Sequence, residues 1–160
     1  MSDADVSVTV ALAAPAATVW ERATELDGVN EELRPWVRMT APAGLRGRRI
    51  SDLEPGVPAG RCWLLLGGFL PVDYDELMLV EVEESRRFLE RSRMLTMEVW
   101  QHERLVEPAD AGCTVTDRLT FRLRGPLARL PGSKLLARAI VGALFRHRHR
   151  RLAAMHGTVG

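Results

Sequence analysis

The sequence predicts an α+β domain, and three observations lead there. Residues 97–121 read as two long strands closed by a turn. The element order is one strand, two short helices, about six strands and one long helix. The C-terminal stretch carries apolar side chains at helical spacing.

The elements follow from the N-terminus. Val6, Val8, Val10 and Leu12 alternate with Ser7, Thr9 and Ala11, the pattern of a half-buried strand. Pro15 opens a helix at the position where a missing N–H does no harm, with Val19, Trp20 and Ala23 inward and Asp27-Gly28 as its end. Asn30 is the expected cap of a second short helix, Glu31 and Glu32 occupy its first turn, and Pro35 stops it. Residues 36–40 form the next strand. From Pro42 to Gly60 prolines and glycines break every period, which predicts a long loop, with a short strand near residues 48–51, that gates a site. Strands are predicted over 61–66, 73–82 and 87–93, with Gly67-Gly68 as a tight bend. On the 73–82 strand Met78 shares a side with Tyr74 and Val80, while Asp73, Asp75 and Glu76 read as surface charges. The terminal helix starts at a Ser133 cap and ends at Gly157. Its inward stripe is Leu136, Ala139, Ile140, Ala143, Leu144 and His147.

The 160 residues favour one domain spanning 1–160, and 46% hydrophobic with 27% charged residues describes a soluble globular chain. A net charge of +1 argues against a nucleic-acid binder. Cys62 and Cys113 are too few for a disulfide framework and sit in predicted strands as small buried hydrophobes. The acidic N-terminus lacks the features of a secretory leader, and no stretch approaches a membrane span, so a cytoplasmic protein is expected. No cofactor and no metal site are expected, since His147 and His149 lie on different helix faces.

Chemistry concentrates in the last hairpin. Cys113, Val115, Leu119 and Phe121 share one face of the second strand, and Asp117 lies on that apolar face. A carboxylate there needs a partner. Trp100, His102, Arg104 and Val106 share a face of the first strand. Pairing Val106 with Cys113 sets Arg104 opposite Val115, His102 opposite Asp117 and Trp100 opposite Leu119. Glu98 falls on the Trp100 face by parity. The result is an apolar hairpin with a polar centre, suited to lining a cavity.

The same residues carry a family resemblance. Pro15 through Val19-Trp20, then Trp100-Gln101-His102-Glu103-Arg104 with Thr114, Asp117 and Phe121, then Gly125-Pro126-Leu127 and Leu144-Phe145-Arg146, in this order, resemble the START/Bet v 1-like (SRPBCC) superfamily, including polyketide cyclase/dehydrase-type members. The resemblance implies a helix-grip fold, a curved antiparallel sheet of six to seven strands wrapped around the C-terminal helix, with a cavity between them. It also implies a hydrophobic small-molecule ligand. Arg104 stands where relatives often have a second His, which shifts the expected ligand preference toward an anionic group.

The expected function is binding of a lipid-like or polyketide-like molecule, with walls from Trp20, Met78, Trp100, Leu119, Phe121, Leu136, Ile140 and Leu144 and an anchor of His102, Arg104 and Asp117. One alternative is a cyclase/aromatase or dehydrase that transfers protons through His102 and Asp117. No Ser or Cys nucleophile stands beside His102, and the balance leans away from catalysis. A second alternative is a non-catalytic adaptor that touches a membrane or protein through Arg146, His147, Arg148, His149, Arg150 and Arg151. That run otherwise reads as a solvated helix end. The sequence says nothing of oligomeric state.

Overall fold

The computed structural model describes residues 2–160, so Met1 of the acidic N-terminus lies outside it. The strands are β1 (Ala4–Leu12), β2 (Val37–Met39), β3 (Arg61–Leu66), β4 (Leu70–Glu76), β5 (Leu79–Glu83), β6 (Arg87–Met94), β7 (Met97–Ala109) and β8 (Gly112–Leu123). The helices are α1 (Ala16–Ala23), α2 (Leu26–Leu33), α3 (Gly125–Ala128) and α4 (Ser133–His156). Seven strands run antiparallel in the order β1-β8-β7-β6-β4-β3-β2, and β5 continues β4 after a break to pair with β6. The sheet curls into a half-barrel, and α4 packs on its concave side against β1 and α2. This is the predicted helix-grip architecture.

Two apolar clusters fill the interior. Leu12, Trp20, Phe88, Val106 and Leu152 belong to one, and Met94, Leu119, Phe121, Val141 and Phe145 to the other. Trp20, expected as a cavity wall, lies in the core against Phe88, and its indole donates to Glu84. Leu119 and Phe121 are core residues as well. Cys62 and Cys113 are free and buried.

Several local expectations are corrected. The β7–β8 turn is tighter than expected, with Ala109 opposite Gly112, and this slides the register by two residues. Arg104 therefore faces Asp117, His102 faces Leu119 and Trp100 faces Phe121. A shift of two preserves the inward face. A bulge between Met97 and Val99 breaks the parity argument for Glu98, which reaches Arg122 at the surface. Helix α2 starts at Leu26, so Asp27-Gly28 lies inside it, and Asn30 is no cap. Its amide instead grips both backbone groups of Met39 and pins β2. The 42–60 segment holds two short 3₁₀ turns rather than a strand. Its Leu45, Ile50 and Leu53 are buried in the core, so it is anchored and does not act as a free gate. Gly67 and Gly68 have positive φ and form the predicted tight bend, here the β3–β4 turn.

The largest correction concerns α4. Ala137, Val141, Phe145, Arg148, His149 and Leu152 point inward, whereas Leu136 and Ile140 are 62% and 59% exposed and Leu144 is half-buried. The expected stripe followed the most apolar side chains. The actual face includes Arg148 and His149 because carboxylates inside the fold meet them. The basic run is thus no uniformly solvated end.

Gly28 positions α2. A Cβ there would stand 1.8 Å from the Arg22 carbonyl oxygen, so α1 and α2 touch backbone to backbone. Gly28→Ala is expected to destabilise the fold by about 1–3 kcal/mol through overpacking, read as a lower urea midpoint.

Candidate functional site

The inner face of β7 and β8 meets α2 and α4 over a buried ionic cluster. Arg104, fully buried, is its hub. Its Nε donates to Asp117 Oδ1 at 2.8 Å and its Nη2 to Oδ2 at 2.7 Å, a bidentate pair. The other side of the guanidinium donates to Glu32, from Nη1 to Oε1 at 2.7 Å and from Nη2 to Oε2 at 3.0 Å. Arg148 of α4 completes Glu32 with a bond from Nε at 2.9 Å. Asp117 also accepts from His102 Nε2 and from His149 Nε2, each at 2.7 Å. His102 Nδ1 lies 3.6 Å from Glu90, and Glu90 accepts from Ser92 Oγ at 2.7 Å. Phe88 and Phe145 pack edge-on against the His102 ring.

The electrostatics are set by competition between burial and pairing. Burial opposes the Asp117 charge, but Arg104 and His102 outweigh it and hold the carboxyl well below its usual range. Glu32 is likewise held down against burial by Arg104 and Arg148. Burial works against a charged His102, yet Asp117 and Glu90 win and raise its pKa. Glu90 is lowered, its burial offset chiefly by the neighbouring His102 imidazole. The exception is Asp75. Burial, then the Glu90 charge, push its carboxyl well above the ordinary range, and its Oδ1 has no hydrogen-bond partner. Asp75 thus differs from Glu90, Asp117 and Glu32 in that burial prevails over its partners and favours the protonated carboxyl.

Sequence reasoning placed His102, Arg104 and Asp117 together, and the structure does so. It missed Glu32, Glu90, Asp75, Arg148 and His149. Asp73 and Asp75 were expected at the surface and are buried. Asp73 accepts from the backbone N–H groups of Tyr74 and Leu95 and from the Thr96 hydroxyl, fastening the β6–β7 turn. His102 Nε2 and both Asp117 oxygens are engaged inside the protein. Of the expected walls, Trp100 is half-buried against Phe121 and Phe145, Met78 is half-buried, and Leu136 and Ile140 face outward. Two clefts lie beside the expected hollow. One of about 640 Å³ is lined by Arg22, Asp27, Glu31, Arg34, Arg38 and the Gly67-Gly68 turn, and one of about 400 Å³ lies between β1 and α4. Among the described residues no group of three or more His, Cys, Asp or Glu is arranged to hold a metal ion. No helix there is long and apolar enough to cross a membrane.

Comparisons with known proteins bear on the fold. Residues 10–156 match the family described as Domain of unknown function (DUF8410). No curated protein matches the chain significantly. Among solved structures, a START superfamily protein from Mycobacterium smegmatis is 13% identical with a TM-score of 0.64, over 97% of this chain and 99% of that one. The Zhui aromatase/cyclase from Streptomyces sp. R1128 is 17% identical with a TM-score of 0.68, over 96% and 93%. The di-domain aromatase/cyclase StfQ from the steffimycin biosynthetic pathway is 14% identical with a TM-score of 0.60, over 96% of this chain and 50% of that one. At these identities the shared property is the fold, which is START/SRPBCC-like.

Two variants test the cluster. Arg104→Met leaves Asp117 and Glu32 buried without their shared cation and is expected to cost about 3–5 kcal/mol, with part recovered in the double variant carrying Glu32→Gln. Equilibrium unfolding in denaturant measures both. The pH dependence has opposing parts. Asp117 and Glu32, with lowered pKa values, stabilise the fold above the ordinary carboxylate range and lose that effect as pH falls through their lowered values. His102, with a raised pKa, contributes fully below 6.5 and loses its contribution as pH rises through its raised value. Asp75 acts against the fold as pH rises from 3.8 through its raised value. Asp75→Asn is accordingly expected to stabilise by about 1–3 kcal/mol at about pH 8 and by little at about pH 4.

Proposed function

As the chain belongs to the DUF8410 family, we propose from its fold and its open apolar helix flank that it binds a hydrophobic or amphipathic small molecule alongside α4. The exposure of Leu136 and Ile140 carries this reading. They lie on the flank of α4 that, two turns further along, brings His147 against Trp36 and the Arg34 carbonyl. On the adjoining buried face Ala137 and Val141 pack with Leu64 and Trp100. An uncovered apolar flank beside a concave sheet is a surface on which apolar burial at roughly 25 cal/mol per Å² favours a ligand. The buried ionic cluster stiffens the opposite half of the domain.

The cyclase alternative asks His102 and Asp117 to exchange protons with a substrate, and both are committed to internal partners. The fold likeness to aromatase/cyclases supports that alternative no further. Buried, free Cys62 and Cys113 fit a reducing, cytoplasmic setting.

Native mass spectrometry of the purified chain is expected to retain a bound small molecule. Ile140→Asp is expected to weaken binding of a fluorescent fatty acid by about tenfold while leaving the circular dichroism unchanged, since the side chain is exposed. No retained molecule together with unchanged fatty-acid affinity overturns the reading.

A further inference from the structure

We infer that the end of the molecule carrying the β3–β4 and β6–β7 turns docks on an anionic lipid surface. The two ends of the sheet differ in kind. At one end the β5–β6 turn presents Glu84, Ser85 and Arg86, and the β7–β8 turn presents Asp110 and Ala111. At the other, the β3–β4 turn holds Phe69 80% exposed, with Leu66 and Leu70 also exposed.

Hydrogen bonds join further apolar segments to that turn. Gly67 N–H donates to the Trp36 carbonyl at 2.7 Å, which sets the 59%-exposed Trp36 beside it. Asp73 fastens the β6–β7 turn, with its exposed Leu95, to β4. Arg124 donates from Nε to the Leu95 carbonyl and from its backbone N–H to Thr96, bringing up α3 and the exposed Leu130 that follows it. Single exposed apolar residues are ordinary, whereas a linked patch marks an interaction surface.

Charge selects the occupant. The 43 residues after Asp117 contain ten Arg and Lys and no Asp or Glu, although the whole chain is only +1. Around the apolar end Arg34, Arg38 and Arg129 are exposed, and none has a carboxylate in ion-pair reach among the described residues. Of the acids near that end, Glu31 is taken by Arg22 and both Asp3 and Glu98 by Arg122, which leaves the exposed Asp27 against the guanidiniums of Arg34, Arg38 and Arg129. Protruding aromatic and aliphatic side chains ringed by unpaired guanidiniums fit the boundary between acyl chains and anionic headgroups. Trp36 and Arg34 of this surface meet His147 of α4, so the surface adjoins the helix flank, and the Phe69 and Leu70 variants probe it at a distance from Leu136 and Ile140.

Co-sedimentation of the full chain with phosphatidylcholine vesicles, with and without phosphatidylserine, tests the inference. Binding is expected to the phosphatidylserine vesicles and to be at least about tenfold weaker without that lipid, or after Phe69→Asp with Leu70→Asp. Arg34→Glu with Arg38→Glu is expected to lower binding and its salt dependence. All these side chains are exposed, so circular dichroism and thermal unfolding should match the parent. Failure of the parent to sediment with anionic vesicles overturns the inference, as does unchanged sedimentation of the Phe69→Asp, Leu70→Asp variant. A self-associated parent that the same variant makes monomeric, with no vesicle binding, also overturns it and assigns the patch to a second copy of the chain.

Discussion

Arg104 holds this domain together at its centre. A fully buried guanidinium is tolerated only when its donors are met and its charge is opposed, and here two carboxylates do both from opposite sides. Asp117 comes from the neighbouring strand, Glu32 from a helix far away in sequence. Through Glu32 the hub reaches Arg148, and through Asp117 it reaches His149, so α2, α4, β7 and β8 are coupled by one set of charge-assisted bonds. The arrangement limits how α2 and α4 can be placed over the sheet, because any other placement strands a buried charge.

Much of the fold was legible because strands β1 and β8 alternate cleanly and the connections from β3 to β8 are short. The polar centre was legible from one anomaly, an aspartate on an apolar stripe. The same anomaly stood elsewhere and went unused. Glu32 falls three residues after Val29 and one before Leu33, both buried, and His149 falls between Phe145 and Leu152. Charged residues on helices were assigned to solvent by type, and the α4 stripe was chosen by maximum hydrophobicity. That choice turned the helix so that Leu136 and Ile140 faced inward. Register was lost for a different reason. Turn length decides it, and a two-residue loop is hard to tell from a six-residue one when both are rich in turn formers. Asp75 had no local signal at all, since its burial depends on strands β3 and β6 closing over it.

The likeness to START proteins and aromatase/cyclases concerns the scaffold, and function on a shared scaffold depends on the particular side chains. In this chain the His102–Asp117 pair has been absorbed into the interior. What remains available to other molecules is the apolar flank of α4 and the apolar end of the sheet.

The placement of the ionic cluster along α4 has a mechanical corollary. Arg148 and His149 tie the C-terminal half of the helix to Glu32 and Asp117, while its N-terminal half rests on Ala137 and Val141 with one exposed hydrogen bond from Lys134 to Ser2. The two halves differ in the free energy needed to lift them, so the helix is a lever with a fixed fulcrum near residue 148. Displacement of the arm before residue 145 therefore breaks none of the buried charge-assisted bonds, whereas displacement of the arm beyond it must break them.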